Sequence, residues 1–156
     1  MSYIALATTT LGSAAATVTF SSIPATYKDL ILIADCTHST SSAIDLDVRF
    51  NSDTGSNYSR VIMFGDGSGT ASNAATENML DVGYTNNNKT AMIIQIMDYS
   101  ATDKHKTVLA RQSTPGFLVM ATAGRWANTA AINTLSFFPN GANWVSGTTV
   151  SLYGVA

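Results

Sequence analysis

Apolar and polar residues alternate without a break through Ile44–Phe50, where Asp45, Asp47 and Arg49 separate Ile44, Leu46, Val48 and Phe50. Successive side chains of a strand point to opposite faces. This period of two therefore predicts a strand with one face on a core and a charged face toward water or a partner. Similar segments recur along the chain. Tyr3–Thr8 and Thr17–Phe20 read as an opening pair around Leu11-Gly12-Ser13. Ser22-Ile23-Pro24-Ala25 reads as a corner, because Pro24 fixes its own φ and holds Ile23 extended. Asp29–Asp35 contains Leu30-Ile31-Leu32-Ile33, apolar on both faces. Such a strand is central, covered by the core on one side and by a loop, helix or neighbouring subunit on the other.

Arg60–Phe64, Thr90–Tyr99, Lys106–Gln112, Phe117–Ala123, Asn133–Phe138 and Thr148–Val155 predict further strands. Turn-rich loops divide them: Asn51–Tyr58, the glycines of Gly65–Gly69, and Ser113-Thr114-Pro115-Gly116. Ala74–Leu80, with Ser72 or Asn73 as N-cap, predicts one or two turns of helix. About ten short strands and at most one short helix imply an all-β fold, a two-sheet antiparallel β-sandwich of jelly-roll type. Residues 1–156 read as a single domain, with residues 1–10, MSYIALATTT, as a candidate N-terminal arm.

Composition narrows the function classes. Charged residues make up 12% of the chain against roughly 25% in ordinary proteins. Thr, Ser, Asn, Ala and Gly fill the deficit, and 46% of residues are hydrophobic, which excludes disorder for most of the length. A surface of hydroxyls and amides suits a protein packed against other subunits, or one exposed to harsh solvent. The net charge is −2, and the nearest thing to a basic cluster is Lys104-His105-Lys106, which speaks against nucleic-acid binding. No apolar run reaches the length of a membrane span, and the first residues do not read as a secretory signal. Cys36 is the only cysteine, so no intrachain disulfide forms; it reads as a small buried hydrophobe.

Candidate chemistry is sparse. Asp45, Asp47, Asn51, Asp53 and Asn57 offer hard oxygens of the kind Ca²⁺ takes, with Asn51, Asp53 and Asn57 the loop candidates. The EF-hand order is absent, and an Asx-stabilised turn is the competing reading. Gly65–Gly69 lacks the Lys-Ser/Thr of a phosphate loop. Only His38 and His105 exist, with no nucleophile elbow, so the chain reads as no enzyme and as carrying no cofactor. Tyr58, Tyr84, Tyr99, Trp126 and Trp144 are candidates for a sugar-stacking platform. Tyr58, Trp126 and Trp144, with Asn57, form the candidate contact surface. The opposing reading has the tryptophans plug the sandwich ends or a subunit interface.

Three segments, Phe20–Ile33 (FSSIPATYKDLILI), Arg49–Ser59 (RFNSDTGSNYS) and Ser146–Val155 (SGTTVSLYGV), span most of the chain in order. Together they resemble a family of small β-sandwich virion proteins of tailed bacteriophages, especially those of marine and freshwater bacteria. The resemblance implies a structural component of the particle surface, made in the host cytoplasm, with no catalytic residues to transfer. It implies a capsid cement or decoration protein bound to the major capsid protein or another virion protein, and as the alternative a tail-fibre or receptor-binding module that recognises host glycans. Such modules work as symmetric homo-oligomers, and a homotrimer matches a local threefold of a capsid lattice. Asn86–Gln112 carries no motif of that family.

Overall fold

The computed structural model describes residues 2–156, and its strands begin with β1 (Tyr3–Thr10), β2 (Val18–Phe20), β3 (Asp29–Cys36), β4 (Ile44–Phe50), β5 (Tyr58–Gly65) and β6 (Thr70–Glu77). They continue with β7 (Leu80–Thr85), β8 (Thr90–Met97), β9 (Lys106–Thr114), β10 (Leu118–Trp126), β11 (Leu135–Pro139) and β12 (Thr149–Val155). An eight-stranded sheet has the order β1-β12-β3-β8-β9-β10-β5-β6, and a four-stranded sheet the order β2-β11-β4-β7. All ladders are antiparallel.

The connectivity is that of a jelly roll. Four ladders, β1 with β12, β2 with β11, β3 with β8 and β4 with β7, form one long ribbon. The ribbon rolls so that β12 meets β3 and β11 meets β4. Two hairpins interrupt it. β5–β6 lies between β4 and β7 in sequence, and β9–β10 between β8 and β11. Both join the same sheet beside β8, and they supply half of its strands.

Between the sheets lies a continuous core that includes Leu30, Leu32, Leu46, Val48, Phe50, Ile94, Ile96, Val108, Leu135, Phe137, Val150 and Leu152. The four-stranded sheet is narrower than its partner. At the hairpin end a separate small cluster forms from Ile62, Leu118 and Met120, flanked by Phe64 and Phe117.

Several expectations need correction. Tyr3–Thr8 and Thr17–Phe20 do not pair with each other: β1 pairs with β12, and β2 pairs with β11 in the other sheet. The connection between them crosses the sandwich end, where Ala15 bridges to Trp144. Residues 3–10 of the candidate arm are an edge strand of the large sheet. Ala74–Leu80 forms no helix. Ala74–Glu77 lies in β6, in unbroken register with β5, and Leu80 opens β7. Alanine is the best helix former, but its advantage is under about 1 kcal/mol per residue, and eight ladder pairs outweigh it.

Candidate functional site

Asp53 organises the loop after β4. Asn51 and Ser52 take positive φ, of 50° and 56°, and turn the chain sharply out of the strand. Asp53 Oδ1 accepts the Gly55 N–H at 2.9 Å. Asp53 Oδ2 accepts Asn57 Nδ2 at 2.9 Å and the indole Nε1–H of Trp126 at 2.7 Å. Partial burial works to raise the Asp53 carboxyl, but the bonds from Asn57, Trp126 and Gly55 outweigh it and hold the acid below the usual carboxylate range.

Asn51 has similar structural work: its Oδ1 accepts the Asn133 and Thr134 amides at 2.9 and 3.1 Å, and its Nδ2 donates to Ala131 O at 2.8 Å. Asn57 turns its amide nitrogen toward Asp53. The three loop residues read as calcium ligands are therefore engaged in holding the loop. Among the described residues no group of three or more His, Cys, Asp or Glu side chains is arranged to hold a metal ion.

The aromatic contact surface is corrected by burial. Tyr58, Trp126 and Trp144 are each no more than 1% exposed. Trp126 stacks on Tyr58 at 6.3 Å between centroids and tilts against Phe50 at 5.6 Å. The Tyr58 hydroxyl accepts the Phe50 amide at 3.1 Å, and burial pushes its pKa up to about 12. Trp144 packs on Phe137 at 4.7 Å, donates Nε1–H to Phe137 O at 3.1 Å, and bridges to both Ala15 and His38. Each indole has one polar atom, and each is satisfied inside the protein. No face of these rings is free to stack on a sugar. Tyr99 is also fully buried, while Tyr84 is partly exposed against Phe117.

The charged face of β4 is likewise covered at one point. Asp47 stands opposite Asp81 of β7, beside an irregularity in the ladder, and both are almost fully buried. Asp81 Oδ1 accepts the Gly83 N–H at 3.0 Å, whereas Asp47 Oδ2 finds no donor. Arg60 Nε lies 3.1 Å from Asp81 Oδ2, but its N–H does not point at that oxygen, so the contact is an ion pair without a hydrogen bond. Arg60 also pairs with Glu77 at 3.2 Å. Burial first, then the neighbouring negative charges, raises both Asp47 and Asp81 to about 7. Lys106, from the one basic run, is buried: its Nζ donates to the carbonyls of Ala101, Lys104 and Thr129. Its three donors are spent on loops, and no basic patch forms there.

What remains open is the outer face of the large sheet. Tyr3, Ile33, Val61, Met63, Leu109 and Val119 are between 45% and 63% exposed. Ile93 and Tyr153, partly exposed, lie beside them over the buried Ile31, and alanines at 121 and 123 line a shallow hollow of about 360 Å³ together with Val61, Met63 and Leu109. The two arginines on this face are Arg111 and Arg125, and Asp35 sits at one end in an ion pair with Lys89 at 2.9 Å. The doubly apolar run of β3 signalled this face, but its extent across the inserted hairpins was not legible because their strands show only one to three apolar outward residues each.

No known protein-family model matches the chain, and no curated protein matches it in sequence.

Proposed function

We propose that this chain is a structural component of a bacteriophage particle, a cement or decoration protein that binds the outer capsid and stabilises the shell. The observation that carries the reading is the open apolar face of the eight-stranded sheet. Exposed apolar residues gathered on one sheet face, here around a central Arg111, mark a site of protein contact. The low charge, the polar clusters given over to loops and core, and the resemblance of three segments to phage virion proteins support the same reading.

The work of such a protein is mechanical. Burial of apolar surface contributes about 25 cal/mol per Å² before association costs, and many copies on a shell add their contributions. The major capsid protein is the partner this reading names. The tail-fibre alternative drew on Tyr58, Trp126 and Trp144 as glycan contacts, and their burial leaves it without a specific observation in its favour.

Immunogold electron microscopy of phage particles, with antibody against this chain, tests the proposal. Gold distributed over the head is expected. Gold confined to the tail, or particles without gold from cells that make the protein, would overturn it.

A further inference from the structure

We infer that β6, the open edge of the eight-stranded sheet, pairs antiparallel with β6 of a second copy of this chain about a two-fold axis at Asn73, joining the two large sheets into one. The edge is separate from the outer apolar face, so this pairing does not depend on the virion reading.

β1, β6, β2 and β7 border the two sheets. β2 is only three residues long. β7 is mostly buried and lies against β9, β10 and β5. β1 breaks register between Ala5 and Ala7. Shortness, cover and bulges are the ordinary means of blunting a sheet edge. β6 has none of them. It keeps unbroken register with β5, is mostly exposed, and carries no Pro, Gly or Lys; its one charge, Glu77, stands at its end.

The backbone phase of the edge follows from the hairpin turn, where the Asp66 N–H donates to Gly69 O at 3.3 Å. Hydrogen-bonded and non-hydrogen-bonded pairs alternate from there along the β5–β6 register. Thr70, Ser72, Ala74 and Thr76 therefore turn their N–H and C=O groups to the open side.

The side chains argue for a second copy as the occupant. Outward from Asn73, β6 reads almost the same in both directions: Ser72 and Ala74, then Ala71 and Ala75, then Thr70 and Thr76. An antiparallel pair about Asn73 sets Thr70 against Thr76, Ala71 against Ala75 and Ser72 against Ala74 of the second copy. Thr70 with Thr76 and Ser72 with Ala74 are then the pairs that exchange backbone bonds. At the axis the two Asn73 side chains stand side by side. Each Asn73 Oδ1 accepts Arg60 Nη1 at 3.2 Å within its own chain, which leaves Nδ2 to donate to Asn73 of the second copy. Glu77 falls against Gly69 of the second copy, so no like charges meet at the seam. A patch that matches itself in this way makes a closed, isologous contact. The axis stands perpendicular to the sheet, so both outer faces look the same way. Val61 and Met63, the β5 neighbours of Ala74 and Ser72, then flank the seam in both copies and widen the open apolar face.

A two-fold pair departs from the threefold expected from sequence. One strand pair covers less than the about 800 Å² per partner of a standard interface, so dissociation is expected in the micromolar range. Sedimentation equilibrium of the full chain from about 1 to about 500 micromolar covers that range. The mass is expected to rise from the 16.4 kDa of one chain to twice that value. Asn73→Asp keeps an acceptor for Arg60 but sets two carboxylates against each other at the axis. It is expected to weaken the dimer at least about tenfold, with part of the loss recovered at high salt and the circular dichroism and Tm of the monomer retained. Asn73→Cys places two thiols on the axis, in a non-hydrogen-bonded pair with Cα atoms about 4.5 Å apart, and is expected to give a disulfide-linked dimer on mild oxidation. Ser72→Cys, which faces Ala74, is not; the native Cys36 is buried. A monomer throughout, a trimer, a mass that keeps growing with concentration, a dimer unmoved by Asn73→Asp, or cross-linking at position 72 and not at 73 would each overturn the pairing. A dimer in solution with no copies on phage particles would overturn the virion reading and leave the pairing standing. A monomer found on particles would do the reverse.

Discussion

The indole nitrogen of Trp126 donates to Asp53 Oδ2 at 2.7 Å, joining the end of β10 to the loop that follows β4. This one bond explains how Trp126, between Arg125 and Ala127, is buried: a loop carboxylate satisfies its only polar atom. Asp53→Ala would leave that N–H without its acceptor and is expected to cost about 1–3 kcal/mol. Trp126→Ala would also empty the space against Phe50 and Tyr58, at about 3–5 kcal/mol. Thermal and urea unfolding measure both. An unchanged Tm for Trp126→Ala would contradict the buried placement.

The Asp47–Asp81 pair sets a pH dependence. Both acids have folded pKa values raised to about 7 from 3.8, by burial first and then by neighbouring negative charge, with Asp45, Glu77 and Arg60 the other charged groups beside them. The folded state therefore holds protons that the unfolded state has released. Their stabilising effect is complete below about pH 4 and is lost as pH rises toward about 7. Asp47→Asn removes one of the competing charges. It is expected to stabilise the protein at pH 8 by on the order of 2 kcal/mol and to change little at pH 4. Urea unfolding at the two pH values measures the difference, and equal effects at both would contradict the assignment.

Cys36 reports on unfolding. It is 1% exposed, and burial, with a smaller effect from the charge of Asp35, pushes the thiol up to about 12. Thiolates are the reactive form, so the native protein is expected to resist a thiol reagent at pH 8 and to react fully in denaturant. Rapid labelling of the native chain would contradict the buried position.

Gly154 in β12 is required by Tyr27. A Cβ at Gly154 would run into the Tyr27 ring. Gly154→Ala is expected to cost about 1–3 kcal/mol by overpacking. In a Tyr27→Ala background the same substitution is expected to cost far less, because the obstructing ring is gone. Additive effects in the double mutant would show that the two residues do not meet.

The first residues test strand against arm. β1 contributes seven register pairs to β12. Deleting residues 2–10 would strip the ladder from one side of β12 and expose a new edge, which invites aggregation. A large fall in Tm with precipitation is expected. A truncated chain as stable as the full one would restore the arm.

Much of this fold was legible in the sequence. Ile44–Phe50 announced β4 with both boundaries, since strict alternation leaves no competing period. The doubly apolar Leu30–Ile33 correctly marked a strand in the interior of the large sheet. β6 escaped because TASNAATE is mostly exposed and carries no apolar alternation; its strand state comes from pairing with β5. The outward aspartates of β4 suggested a solvated face, but Asp47 lies where β7 adds to the sheet, a contact local patterning does not encode. Of the two readings of the tryptophans, the contact surface fails and burial inside the sandwich is what the structure has. Trp126 is held by Asp53, 73 residues away in the chain, and Trp144 by the Phe137 carbonyl across a turn, and neither partner shows in the local pattern around the indole.

The most direct test of an assembly role is a cryo-electron microscopy reconstruction of the phage particle at side-chain resolution. The expected result is density for this sandwich on the head, with Val61, Met63 and Leu109 covered by protein. A particle without this chain, or one that displays it with that face open to solvent, would contradict the role assigned to the large sheet.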